Sequence, residues 1–165
     1  MIRLMTAKDS VHVQQIARIT WSETYKAIIP EEIQKEFIDR SYSNAMMIKR
    51  MEKTIVLIAE DKGIPIGFAN FTKKDEDGDS ELTAMYILPS HQHMGYGDKL
   101  FKHALSMLTD ARQLFLYVDG RNANGRAFYE KQGFELLDIF EEDFEGHPVE
   151  TAQYVYYIHT PVFAC

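Results

Sequence analysis

Cysteine is almost missing from this chain: the single one, Cys165, is its last residue. That excludes a disulfide frame and a cysteine metal cluster and gives little ground for a thiol nucleophile, and a thiol at a chain end is expected to be loose. Long apolar runs are missing too. None approaches the roughly 20 residues that span a bilayer, and Met1-Ile2-Arg3-Leu4 reads as a strand rather than a charged leader, so the expectation is a cytoplasmic protein with no membrane partner. Positive charge is in deficit, 18 basic against 25 acidic residues for a net −7. A field of that sign repels nucleic acid and attracts cations. From Glu135 to Glu150 there is no Lys or Arg, while Asp138, Glu141, Glu142, Asp143 and Glu145 lie between those two acids; Asp75, Glu76, Asp77, Asp79 and Glu81 form a second acidic group. Both groups read either as solvated loops or as a surface for a cationic substrate. There is no repeat, low-complexity tract or linker, so residues 1–165 are read as a single domain, large enough to bury a core.

What is present centres on Ser80 to Leu108. Leu82 to Leu88 is an apolar, partly β-branched and aromatic run stopped by Pro89, which predicts a strand. From Leu100 the apolar residues Phe101, Ala104, Leu105 and Leu108 make one helical stripe. Between them lies Gln92-His93-Met94-Gly95-Tyr96-Gly97-Asp98. Two glycines one residue apart let the backbone turn sharply and leave its N–H groups unshielded. At a helix start those donors and the helix dipole favour an anion, a phosphate or pyrophosphate being the natural guest. A dinucleotide fingerprint wants a small residue where Leu100 stands, and a P-loop wants Gly-Lys-Ser/Thr where Gly97-Asp98-Lys99 stands. Asp98 also argues against a nucleoside triphosphate.

The remaining form, Gln92-x-x-Gly95-x-Gly97 followed by Leu100, resembles the acyl-CoA loop of the GNAT superfamily of N-acyltransferases. A second stretch, Asn122-Ala123-Asn124-Gly125-Arg126-Ala127-Phe128-Tyr129 with Gly133-Phe134 after it, is similar to the family's second signature, in the right order and at a family-like separation. Gly125 and Arg126 depart from it, standing where the family usually has Ala and an aliphatic residue, which places Arg126 near the expected cofactor. The resemblance implies a mixed α/β fold: a mostly antiparallel sheet of about six to seven strands, flanked by about four helices and splayed at the acetyl-CoA site. It implies acetyl-CoA as cosubstrate, and homodimers are common in the family.

Taken in order, Ile2 to Met5 predicts a strand and Ser10 to Tyr25 a helix with Val13, Ile16, Ala17, Thr20 and Trp21 on one face. Pro30 is expected at the first position of a second helix, and Tyr42 to Lys53 in a third. Thr54–Glu60 and Ile66–Thr72 are strands joined by a turn, and with Glu81–Leu88 they make a meander. Gln113 to Val118 reads as a strand buried on both faces. Phe134–Phe140 and Val149–His159 read as a hairpin around Glu145-Gly146-His147-Pro148. Trp21, Tyr25 and Pro30 resemble a pattern at the family's acceptor wall, although packing accounts for those aromatics equally well.

The resemblance also assigns roles. The pyrophosphate would rest on amides from His93 to Asp98, and the pantetheine arm would pair with Met85, Tyr86 and Ile87. A backbone N–H near Tyr86 or Ile87 would polarise the thioester oxygen. Tyr129 matches the tyrosine that protonates the departing thiolate, and Asn122 would brace the cofactor arm or simply cap the next helix. An alkyl ammonium is almost wholly protonated at neutral pH, so a base helps. Glu81, eleven residues before Gln92, matches the family's strand glutamate, and Tyr117 stands at another position the family uses. His147 is a third candidate, more simply an exposed turn residue. His91-x-His93 lacks further ligands, so no metal is expected. The implied reaction is acetyl transfer to a primary amine, such as a polyamine or another small cationic amine, with a protein N-terminus or lysine, O-acylation, or a catalytically silent acyl-CoA-binding module as alternatives.

Overall fold

The computed structural model describes residues 1–159; positions 160–165, Cys165 among them, lie outside the described residues. Seven strands form one sheet: β1 (Ile2–Leu4), β2 (Thr54–Asp61), β3 (Ile64–Thr72), β4 (Asp79–Ile87), β5 (Gln113–Asp119), β6 (Glu135–Phe144) and β7 (His147–Tyr157), in the spatial order β1-β2-β3-β4-β5-β7-β6. Five α-helices flank it, in line with the expectation of about four: α1 (Ser10–Tyr25), α2 (Glu31–Ser41), α3 (Asn44–Lys53), α4 (Tyr96–Ser106) and α5 (Ala123–Gln132). The mixed α/β, mostly antiparallel fold agrees with the expectation, since only β4 and β5 run parallel.

The helices divide between the two faces of the sheet, and strand alternation feeds a core on each. Leu57 and Ile58, neighbours on β2, are both wholly buried on opposite faces. Leu57 joins Leu100 and Phe101 of α4 with Leu114, Phe134 and Tyr154. Ile58 joins Val13, Ile16 and Trp21 of α1 with Ile38 of α2 and Met47 of α3.

Several boundaries shift for local reasons. Pro30 is the N-cap of α2, not its first residue. Tyr42 ends α2, and Ser43 starts α3 by accepting from Met46 N–H at 3.2 Å. Helix α4 begins at Tyr96 and stops at Ser106, so Leu108 is buried from the turn that follows. The β6–β7 turn is Glu145-Gly146, both at positive φ. Strand β5 is not buried on both faces: Leu114 and Leu116 are buried, whereas Tyr117 is 50% exposed.

Two irregularities on β4 shape the site. Its register against β3 skips Thr83, with Asn70 opposite Ala84 and Phe71 opposite Leu82, so Thr83 is a bulge residue. On the other side, β4 pairs with β5 only through Asp79, Ser80 and Glu81, opposite Gln113, Leu114 and Phe115. Beyond Glu81 the two strands part, while β5 continues against β7 as far as Asp119. The expected splay is therefore present, and it leaves one edge of β4 unpaired from Leu82 onward.

Candidate functional site

The unpaired edge has a definite orientation. Leu88 N–H bonds to Ile66 O at 2.8 Å, and by antiparallel alternation Tyr86 also turns its backbone groups toward β3. Met85 and Ile87 therefore direct their N–H and C=O groups into the cleft. Gln92 Nε2 donates to Ile87 O at 3.0 Å, tying the following loop to this edge and leaving the Ile87 N–H facing the gap.

The loop after β4 is held in shape by its backbone. Pro89 to His91 make a 3-10 turn, His93 sits at φ 62°, and Gly95 at φ 88° is the left-handed N-cap of α4. Among the described residues, no hydrogen-bond acceptor is found for the amides of His93, Met94, Gly95, Tyr96, Gly97 or Asp98. Gly97 is needed for packing: a Cβ there would lie 3.1 Å from the Phe128 ring. The α4 start and the α5 helix thus meet through a missing side chain. Asp98 pairs with Lys102 at 2.9 Å, which removes much of its repulsion toward an anion. A row of free amides at a helix N-terminus, beside an open strand edge, fits a diphosphate continued by an amide-containing arm.

Tyr129 stands on α5, which Asn122 caps by accepting from Gly125 N–H at 3.0 Å. Gly125 has a local reason for replacing the usual Ala, since a Cβ there would lie 2.6 Å from Asn122 Nδ2. Arg126 does not point toward the cleft; its guanidinium donates to Tyr154 Oη at 2.9 Å and to Gly120 O at 3.1 Å. The Tyr129 ring leans on Phe128 and Phe134. Burial, and then the neighbouring Tyr86 phenol, push the Tyr129 hydroxyl well above the usual tyrosine range.

Tyr25 is shifted upward as well, by burial first and then by Tyr86, Asp119 and Tyr129. Tyr25 and Tyr86 both pack against the α1-side core, whereas Tyr129 packs against the α4-side core. Trp21 Nε1 donates to Tyr86 Oη at 2.8 Å, so the side chain of Tyr86, and not only its backbone, belongs to the α1 wall. Trp21 is in turn covered by Tyr25 at 4.6 Å, Phe37 at 4.6 Å and Phe144 at 5.8 Å between ring centres. An ion pair between Arg40 of α2 and Glu145 holds the hairpin tip there. His147, beside that tip, is half-buried.

Glu81 and Tyr117 come together in a cavity of about 510 Å³ at the base of the splay, with Lys73, Asp75, Asp79, Phe115 and Gln153. Burial raises the Glu81 carboxyl above the usual range, and its own N–H is taken by Thr72 Oγ1 at 2.9 Å. Gln153 Nε2 donates to Tyr117 Oη at 3.2 Å. Asp119, at the end of β5, is a buried carboxylate held locally by Arg121, whose N–H donates to it at 2.8 Å and whose guanidinium donates at 3.2 Å. Oxygens of Asp75, Asp77 and Asp79 lie within 4.8 Å of one another where the loop enters β4, and Asp75 accepts from the other two N–H groups. His91 bonds Asp61 at 3.0 Å.

With this geometry in view, the comparisons are specific. A model of the acetyltransferase (GNAT) family matches residues 13–134. A spermidine N(1)-acetyltransferase of Thermoplasma acidophilum is 28% identical over 151 residues, 87% of this chain and 92% of that protein. An uncharacterised N-acetyltransferase of Mycobacterium bovis is 30% identical over 67% of this chain and 72% of its own. Among solved structures, the PaiA N-acetyltransferase of Thermoplasma acidophilum in complex with coenzyme A superposes with a TM-score of 0.80 at 25% identity, covering 94% of this chain and 98% of that one.

Proposed function

The chain belongs to the acetyltransferase (GNAT) family and is an acetyl-CoA-dependent N-acetyltransferase, and from that premise we propose that its acceptor is a small cationic primary amine, a polyamine being the leading case. The observation that carries this is the cavity at the base of the splay, where Asp75, Asp79 and Glu81 face the space in which an amine would approach β4. The spermidine acetyltransferase relative supports the same class. Three carboxylates against the single ammonium of Lys73 leave that lining net negative, which favours a cation, and the aromatic wall of Trp21 and Tyr25 favours its methylene chain.

The reaction moves an acetyl group from sulfur to nitrogen. The amides of His93 to Asp98 hold the diphosphate, and Met85 and Ile87 hold the arm along the open edge of β4, with Gln92 fixing loop to strand. Ile87 N–H polarises the thioester oxygen, a kind of contact whose removal typically costs about 2.7–4 kcal/mol of barrier. Glu81, directly or through water, takes the proton that the amine loses, with Tyr117 beside it. Tyr129 gives its proton to the sulfur as the C–S bond breaks. Asn122 sets the start of the helix that carries Tyr129.

The test is CoA release across a panel of amines of graded charge and length. Linear di- and polyamines are expected to lead, neutral monoamines and amino acids to trail. Tight CoA binding without release for any amine would instead favour a silent binding module, and preference for a peptide N-terminus or lysine would overturn the small-amine reading.

A further inference from the structure

Helix α5 carries Tyr129 but is weakly anchored by apolar contact. None of its residues is buried, and Phe128 and Tyr129 are only half-buried. A polar tie does the holding. Tyr154 of β7 is wholly buried in the α4-side core. Its hydroxyl accepts from Arg126 Nε at 2.9 Å and donates to Glu130 Oε2 at 2.6 Å. Arg126 also reaches Gly120 O, just past β5, at 3.1 Å. Arg126 and Glu130 are one helical turn apart, so a single phenol grips two successive turns of α5, and Tyr129 lies between the two grips. Charge-assisted hydrogen bonds are short and directional, so such a tie sets the helix's rotation as well as its distance from the sheet.

We propose that Tyr154, acting through Arg126 and Glu130, is a positioning residue that holds α5 so that the Tyr129 hydroxyl meets the sulfur end of the cleft. This rests on Tyr129 being the acid of the proposed reaction. It also explains why Arg126 replaces the aliphatic residue usual at that position: an aliphatic side chain would leave the buried phenol without its donor.

The experiment is a kinetic cycle of Tyr154→Phe, Tyr129→Phe and the double variant, with melting temperatures in parallel. Tyr154→Phe keeps the ring in the core and deletes only the hydroxyl. Its expected effect is a kcat lower by roughly ten- to a hundredfold, the scale of a displacement of about 1 Å. KM for acetyl-CoA should hold, because the diphosphate amides lie on α4 and its loop. In the Tyr129→Phe background the same change should add nothing to the loss in kcat. A single variant with normal kcat, or a loss that multiplies undiminished in the double variant, would overturn the positioning role. Unchanged kcat in Tyr129→Phe alone would remove the acid assignment and this inference with it, whereas a slow Tyr129→Phe beside a normal Tyr154→Phe would remove the tie alone. Should Tyr154→Phe fold poorly, Glu130→Ala, at an exposed position, carries the same expectation and the same refutation.

Discussion

Tyr129 and Glu81 are perturbed in the same direction, and for each the direction suits a different half of the reaction. Burial makes the Tyr129 phenolate costly, so the free enzyme keeps the proton until a thiolate forms within reach. Replacing it with Phe should lower kcat by about 10²- to 10⁴-fold while calorimetric affinity for acetyl-CoA is retained; normal turnover, with chemistry limiting, would count against the acid. Burial also raises the Glu81 carboxyl, which strengthens it as a base once ionised but delays ionisation as pH rises. The rate should therefore fall on the acid side, through a group titrating above the ordinary carboxylate range. In Glu81→Gln that acidic limb should disappear from the kcat/KM profile, and an unaltered limb would move the base elsewhere.

Among elements, the start of α4 is the most exacting. Gly97 is pressed against Phe128, with no room for a Cβ unless that ring gives way, and its amide is one of the free donors. Gly97→Glu would add both bulk and a negative charge where a diphosphate is to rest, so calorimetry should show CoA affinity lost; normal affinity would mean the loop serves something else. The α1 wall makes a second case. Trp21→Phe keeps an aromatic in the stack but leaves Tyr86 without its indole donor. Losing such a bond should cost about 1 kcal/mol of stability and raise KM for the amine more than KM for acetyl-CoA. Equal changes in both would detach this wall from the acceptor.

For the molecule as a whole, acid stability offers a test independent of catalysis. The Arg3 guanidinium, bonded to both Asp9 oxygens at 2.7 and 2.8 Å, holds that carboxyl below its ordinary 3.8, at about 2. The ionised form is favoured by folding, so this contribution is complete above about pH 4 and is lost as pH falls toward 2. Asp9→Asn should flatten urea-unfolding stability over that window, at a cost of about 2 kcal/mol at neutral pH. The sequence by itself determined whatever depends on neighbours along the chain. Apolar periodicity located α1 at Ser10–Tyr25 and β5 from Gln113, because helix and strand each repeat over a few residues. Gly95 and Gly97 stood out because their motif is a local turn at a helix start, and Tyr129 because the stretch around it resembles a family signature that is contiguous in sequence. Only the tertiary structure decided how these pieces face one another. Glu81 became the last residue of β4 paired with β5 because β5 stays with β7 while β4 turns away, and Tyr117 is exposed on a strand that read as buried. Arg126 turned from the cofactor side because a phenol 28 residues later needed a donor. Strand partners and buried hydroxyls are matched across space, and no short-range pattern records which distant group will satisfy them.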